Sequence, residues 1–421
     1  MTAEALVKGW CPGALRPMQS GDGLIARLRI TGGIVDPDLA QRIAAWSRRW
    51  GNGLIDISNR ANLQLRGISG AHLPDLHGAM SASGVLDRSA AAEAVRNVIA
   101  SPLAGLDPAA VMDIRTVVGA LEQRLADDAS LHVLPGKFGF AVDDDGVAGL
   151  EGVPADIRFV ARRSDDGPVF AVHLAGAAYA YLGWCRPDGL PEMAATLCHL
   201  FLRYRAGRET AVRRMRDLVV REGVAALAAE AGLRCFQTGE VARPVAFLGA
   251  HSLGSGAFVG VGLPFGRVSA EDFAALAVAA AEHSAASLRL TPWRAILVPV
   301  RSFAAARSLS AQLAAFGFIL DPEDPRCRIA ACPGAPACAR GTTPVRDDAA
   351  ALAVALGGVR GSRIVLHVSG CEKGCAHPGE AAITLVARAG RYDLVRDGPA
   401  SGAAVARNLT LQQVVAYGVG L

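Results

Sequence analysis

Four cysteines stand in two short stretches rich in glycine and proline, ACPGAPACARG over 331–341 and SGCEKGCAHP over 369–378. Their spacing, Cys332-x5-Cys338 and Cys371-x3-Cys375, makes a four-thiolate set on two loops. Thiolate sulfur is a soft donor, suited to zinc or to iron–sulfur clusters. Paired zinc ligands usually follow a C-x2–4-C spacing, and the first pair here is wider. An iron–sulfur cluster is larger than one ion, accepts wider loops and takes four cysteines as its ordinary ligands. Glycine and proline around both pairs let the backbone fold back and aim amides at the sulfurs, which tunes such a cluster. On spacing alone, zinc and unliganded structural cysteines stay open as alternatives. Cys11, Cys185, Cys198, Cys235 and Cys327 have no such spacing and read as core or surface thiols.

The elements that must position these loops belong to a long chain. Its 421 residues suggest about two to three domains of roughly 150 residues each. With 51% apolar and 19% charged residues the composition is that of a soluble globular protein, and 43 basic against 39 acidic residues gives no argument for a nucleic-acid partner. There is no apolar run long enough to span a membrane, and the start, MTAEALVKGWCPG, lacks a charged-then-apolar signal segment. A cytoplasmic location is expected, where clustered cysteines hold metal more often than they form disulfides.

A repeat runs through the chain. The stretches 23–58 and 256–291 both read as strand, turn, capped helix, strand, and a constant offset of 233 aligns Gly33 with Gly266, Ile55 with Leu288 and Ser58 with Thr291. Asp36 before Pro37, and Ser269 before Glu271 and Asp272, are expected helix starts. At nearly the same offset IASPLAG (99–105) faces IAACPGA (329–335), and LHVLPGKFG (131–139) faces LHVSGCEKG (366–374). Two candidate hairpins follow, FAVHLAGAAYAYLGW and AAITLVARAGRYDLV. A duplicated chain is expected, each half a small α/β unit followed by a larger one, with Ser101 near Cys332, Gly136 opposite Cys371 and His132 opposite His367 as structural histidines. Apolar spacing makes 191–233 a helical connector whose arginine-rich face is solvated. The glycines of GSGAFVGVG (254–262) lack a following helix start, so no nucleotide site is expected there.

The late C-x5-C and C-x3-C pairs in a duplicated α/β chain resemble the sulfite and nitrite reductase superfamily. The resemblance rests further on SNRANLQ (58–64), Arg96-Asn97-Val98 and GKFGF (136–140), and covers nearly the whole length. It implies an α/β (α+β) fold: two ferredoxin-like half-domains, 1–75 and 241–308, and two larger α/β domains, 76–240 with the helical connector and 309–421 with the cysteines, related by a pseudo-two-fold axis. It also implies a 4Fe-4S cluster on Cys332, Cys338, Cys371 and Cys375. Where sulfite reductases place a second lysine in K-F-K this chain has Gly139, and Ala61 stands where they usually have glutamine. Less positive charge over the site makes reduction of a small anion hard to support. WCPGALRPMQSGDGLIARLR, SNRANLQLRGI and LRLTPWRAILVP look instead like the precorrin-3B synthase branch.

That branch implies oxygen-dependent hydroxylation and lactone formation on precorrin-3A in aerobic cobalamin biosynthesis, with O2 and with NADH acting through a separate reductase. It implies a substrate site of Arg60, Asn62, Gln64, Arg66, Arg96, Lys137 and Arg294, the last as counterpart of Arg60 after a one-residue insertion. Arginine suits the substrate's carboxylates because its planar fork binds them bidentately. Arg60, Asn62, Gln64 and Arg66 alternate with apolar residues, as on a strand with one polar face. A mononuclear non-haem iron is also implied; no facial triad is visible for it, and no catalytic residue is assigned. Two other classes compete: a sirohaem-dependent sulfite or nitrite reductase, the only reading that requires sirohaem, and a non-enzymatic iron–sulfur electron carrier or zinc-stapled scaffold.

Overall fold

The computed structural model describes residues 11–176, 180–233, 247–355 and 364–416. Cys235 and the 240/241 boundary lie outside them. The strands fall into four groups of five. The first small unit carries β1 (Met18–Ser20), β2 (Gly23–Leu28), β3 (Ile34–Val35), β4 (Leu54–Ile57) and β5 (Leu63–Ile68). The first large unit carries β6 (Val98–Ala100), β7 (Phe140–Asp143), β8 (Ile157–Ser164), β9 (Gly167–Leu174) and β10 (Ala180–Cys185). The second small unit has β11 (Gly249–Leu253), β12 (Gly256–Gly262), β13 (Arg267–Ser269), β14 (Leu288–Leu290) and β15 (Ala295–Val300). The second large unit has β16 (Ile329–Ala331), β17 (Leu366–Ser369), β18 (Ala381–Arg388), β19 (Arg391–Gly398) and β20 (Ala406–Leu409).

The small units are interlocked. One sheet runs β1-β2-β5-β4-β13 and the other β11-β12-β15-β14-β3, so each is completed by a short strand from the other half. Val268 pairs with Ile55 in one exchange and Val35 with Leu288 in the other. The helices Pro37–Trp50 and Ala270–Glu282 cover one face, and Ile43, Ile55, Leu65, Val268, Phe273, Leu288 and Ile296 share one apolar core. Both helices begin at the expected caps: the Asp36 carboxylate accepts from Leu39 N at 2.8 Å and the Ser269 hydroxyl from Asp272 N at 2.9 Å.

Both large units have the same topology. In β10-β9-β8-β7-β6 and β20-β19-β18-β17-β16, the first three strands in chain order are parallel and the last two antiparallel. Register identifies true counterparts: Phe140 pairs with Ile157 as Leu366 pairs with Ile383. This overturns the alignment of LHVLPGKFG with LHVSGCEKG. Leu131 to Val133 form the end of a 3-10 turn, whereas Leu366 to Val368 are in β17, whose counterpart is β7. The shared tripeptide is coincidental; what corresponds is the inward alternation of Phe140 and Val142 with that of Leu366 and Val368. Residues 381–395 belong to hairpin β18–β19, the counterpart of β8–β9, not of the β9–β10 pair that FAVHLAGAAYAYLGW spans. The connector is helical but broken into Leu190–Arg205, Met215–Glu222 and Val224–Glu230, with Gly223 at φ 80° between the last two. Among the described residues no helix is long and apolar enough to cross a membrane.

Candidate functional site

The face of the β1-β2-β5-β4-β13 sheet away from the helices is polar. Arg27 sits opposite Gln64, Gln64 opposite Asp56, and Asp56 opposite Arg267, one row across four strands. The offset of 233 maps Arg27, Gln64 and Asp56 onto Gly260, Leu297 and Arg289 of the second sheet. There Phe258 and Leu297 pack with Leu103 and Ala148 of the first large unit, and Arg289 donates to the carbonyl of Ala104 at 3.2 Å. One of two symmetry-related faces is therefore filled with apolar side chains, while the other stays polar and meets the cysteine-bearing unit.

That meeting is direct. Arg66 donates from Nη2 to the carbonyl of Ala337, between Cys332 and Cys338, at 2.8 Å, and the Ser20 hydroxyl donates to the same carbonyl at 2.5 Å. Arg66 also binds Asp22 bidentately and Asp56 at 3.2 Å, and is 2% exposed. Its guanidinium thus clamps the cysteine loop to Asp22 and Asp56. Asp56 further accepts from Arg267 at 2.7 Å and Arg346 at 2.8 Å. Burial opposes ionisation of Asp56, but Arg346, Arg267 and Arg66 outweigh it and hold the carboxyl well below the usual range.

Within the cysteine unit, Cys332 Sγ accepts from Gly370 N at 3.1 Å, joining the two loops. Burial pushes the Cys332 thiol up, while the amides of Gly370 and Gly334 pull it back, and Cys338 and Cys375 are near enough to push it up again. Gly334 at φ 64° and Gly374 at φ 60° supply the left-handed turns that fold the loops back. Buried amides aimed at sulfur and four thiols on facing loops fit an iron–sulfur cluster. Among the described residues no three His, Cys, Asp or Glu side chains close around a single metal ion.

The other expected residues divide. Arg60 donates from Nη2 to the carbonyl of Lys137 at 2.9 Å, so these two are brought together. Arg60 and Asn62 are in the turn before β5, where both amides donate to Ser58 Oγ; the strand alternation covers only Gln64 and Arg66. Gln64 Oε1 accepts from Arg27 at 2.9 Å. Arg96 faces away, donating to both Asp87 oxygens and to Glu122 Oε2 at 2.5 Å, so two carboxylates neutralise it. It supports the neighbouring arginine through a 2.8 Å bond to the carbonyl of Arg29. Arg294 is not the counterpart of Arg60. It takes the place of Ala61 with no insertion, both holding a left-handed turn, φ 64° and 54°. Among the described residues its guanidinium has no hydrogen-bond or ion-pair partner; burial lowers its pKa and nearby Asp56 raises it.

Lys137 lines a cavity of about 830 Å³ together with Cys11, Arg16, Arg29, Arg205, Arg213, Arg214 and Glu93. Glu93 accepts from the amides of Ala14 and Leu15 and pins the N-terminal segment over this cavity. Arg29 is 4% exposed and ion-paired with Glu93 at 3.9 Å, while its Nε and Nη1 have no hydrogen-bond partner among the described residues. Arg27, in the polar row, and Arg60 both lie near Cys11; burial lowers the pKa of both arginines, that of Arg27 to about 10. Sequence reading missed Arg16, Arg29, Arg205, Arg213 and Arg214. The connector's arginine-rich face is largely solvated, with Arg213 exposed and Arg205 and Arg214 half-buried, and these three line the open cavity; their clustering over 203–216 was the available signal.

Family models agree with this architecture. The nitrite/sulfite reductase ferredoxin-like half domain matches residues 16–83 and 251–316, and the nitrite and sulphite reductase 4Fe-4S domain matches 91–237, the large unit without the four-cysteine set. A precorrin-3B synthase of Sinorhizobium sp is 32% identical over 95% of this chain and 85% of its own length. A ferredoxin–nitrite reductase of Synechococcus elongatus is 26% identical over 90% of this chain and 78% of its own. The solved structure of Mycobacterium tuberculosis NirA protein superposes with a TM-score of 0.74 at 21% identity, covering 94% of this chain and 79% of that one, which shows a shared fold. Since likeness to the synthase spans both halves and exceeds that to the reductase, the chain belongs to the nitrite and sulfite reductase superfamily, in its precorrin-3B synthase family.

Proposed function

We propose that this chain hydroxylates precorrin-3A with dioxygen and closes the ring A acetate into a lactone, the step to precorrin-3B. One oxygen atom enters the macrocycle, and the other leaves as water with two electrons from NADH and two protons. NADH is expected to deliver its electrons through a separate reductase. The observation that carries this reading is the cavity beside Lys137, with six cationic side chains and one carboxylate. Its volume of about 830 Å³ is at the large end of the roughly 300–1,000 Å³ usual for small-molecule sites. This cluster of cations, of which Arg29 is buried and the others are half-buried or exposed, suits a ligand bearing several carboxylates.

In this reading Arg29 and Lys137 bind acetate or propionate groups, with Arg60 held at the rim by Lys137. Arg29 has free donors at Nε and Nη1, and a carboxylate there would add to the single 3.9 Å ion pair that its buried charge makes with Glu93. Arg294 offers a further guanidinium, near Asp56. A 4Fe-4S cluster on Cys332, Cys338, Cys371 and Cys375 would supply one-electron transfer. The chain's own residues bind and orient the macrocycle and exclude water. The expected mononuclear iron is left without assigned ligands. Elemental analysis of anaerobically purified protein, combined with titration of precorrin-3A, tests the reading. About four or more irons per chain, no zinc and saturable precorrin-3A binding are expected. A bound sirohaem band with efficient sulfite or nitrite reduction would replace it with the reductase reading.

A further inference from the structure

His367 is 0% exposed, and among the described residues neither ring nitrogen has a hydrogen-bond partner. In either neutral tautomer one nitrogen carries a proton, so a buried donor stands unpaired, an arrangement native interiors avoid. The expectation of a satisfied structural histidine is met by His132, whose Nε2 lies 3.0 Å from the carbonyl of Ala126, and is wrong for His367.

Its surroundings narrow what could accept that proton. On β17 it is flanked by Ala330 and Thr384 of the neighbouring strands, and the Thr384 hydroxyl already donates to the carbonyl of Gly398. His377 stands edge-on with ring centroids 5.8 Å apart, its own Nε2 engaged at the carbonyl of Glu380. The remaining edge of the His367 ring meets the cysteine loop: its Cε1 is 3.5 Å from where a side chain on Gly374 would begin. Gly374 immediately precedes Cys375 and sits at φ 60°. The counterpart of His367 in the half without the four-cysteine set is Ala141, which carries no polar side chain. A polar ring is thus buried against the loop of Cys371 and Cys375 in the half that carries that set.

We propose that His367 is a positioning and tuning residue for the cluster, donating an N–H hydrogen bond to sulfur, either the Cys375 thiolate or a cluster sulfide. The inference rests on the reading of the four cysteines as cluster ligands. A donor to sulfur stabilises the extra negative charge of the reduced cluster and raises its potential.

The test replaces His367 with leucine and, separately, with glutamine, which keeps an N–H donor. Iron and sulfide content and the midpoint potential are measured for each holoprotein by EPR-monitored redox titration. His367→Leu should keep the cluster and disfavour its reduction about tenfold, 59 mV for one electron, with His367→Gln nearer to the parent. Equal potentials in all three proteins with full iron content would overturn the proposal. If His367→Leu fails to fold, pulsed EPR of the parent labelled with nitrogen-15 histidine decides: a histidine nitrogen coupled to the reduced cluster supports the bond, and its absence refutes it. A parent protein without iron and sulfide would instead refute the cluster assignment.

Discussion

Ser101 and Cys332 occupy the same place in the two halves. Each follows the first strand of its large unit, and each accepts the amide of the residue after the second: Ser101 Oγ from Asp144 N at 3.0 Å, Cys332 Sγ from Gly370 N at 3.1 Å. A hydroxyl and a thiol thus sit in equivalent backbone frames, and only one half has three further cysteines around it.

This equivalence separates folding from metal binding at Cys332. Cys332→Ser should fold with thermal stability close to that of the apoprotein, because Ser101 shows that the frame accepts a hydroxyl. It should lose the cluster, since an alkoxide poorly replaces a thiolate. Iron and sulfide assays beside a thermal melt check both halves of the statement; retained iron at full occupancy would remove Cys332 from the ligand set.

Asp56 ties the halves together, and its removal should be severe. It joins Arg66 of the first small unit to Arg267 of the second and to Arg346 of the cysteine-bearing unit. Asp56→Asn leaves Arg267 and Arg346 without their carboxylate, Arg66 keeping Asp22, and should cost about 3–5 kcal/mol in denaturant unfolding, the range for breaking buried ion pairs.

The duplication was legible because strands, turns and caps keep their order. The offset of 233 runs from Arg27–Gly260 to Gln64–Leu297 without a gap, and the caps at Asp36 and Ser269 were visible from side-chain type alone. The strand exchange was not legible. Ile34–Val35 and Arg267–Ser269 are too short to carry a period, and their partners are chosen by tertiary contact. At the site, Arg60 and Lys137 are in contact, but residue type could not tell Arg66 and Arg96, each held by two carboxylates, from Arg29, whose one carboxylate is 3.9 Å away, or from Arg294, which has none among the described residues.

Asp144 gives a pH signature in the first half. Burial first, then Asp143 and Asp107, push its carboxyl up to about 6, although Ser101 and the amide of Gly146 oppose the shift. Its folded-state pKa lies above the unfolded value, so the stability it contributes is full below about pH 4 and lost as pH rises through about 6. Asp144→Asn should remove this loss and be more stable than the parent at pH 7 by about 2–3 kcal/mol, with little difference at pH 4. Urea unfolding at the two pH values measures it; equal gains at both would show that ionisation is not the cause.

Arg60 and Arg29 test the cavity. Arg60→Ala and Arg29→Gln should each weaken precorrin-3A binding by about 1.5–3 kcal/mol, the value of a charge-assisted hydrogen bond, with the cluster intact. Absorbance titration under anaerobic conditions reads the dissociation constants. Unchanged constants for both variants would place the macrocycle elsewhere.

The most direct test of the central claim is the fate of isotopically labelled dioxygen. Reconstituted protein, NADH, an electron-transfer reductase and precorrin-3A are incubated together, and the product is analysed by mass spectrometry. The synthase reading predicts one labelled oxygen atom in a lactone-bearing product, in an amount that depends on the chain and fails with Cys332→Ser. Unaltered precorrin-3A, beside rapid reduction of sulfite or nitrite by the same preparation, would contradict it.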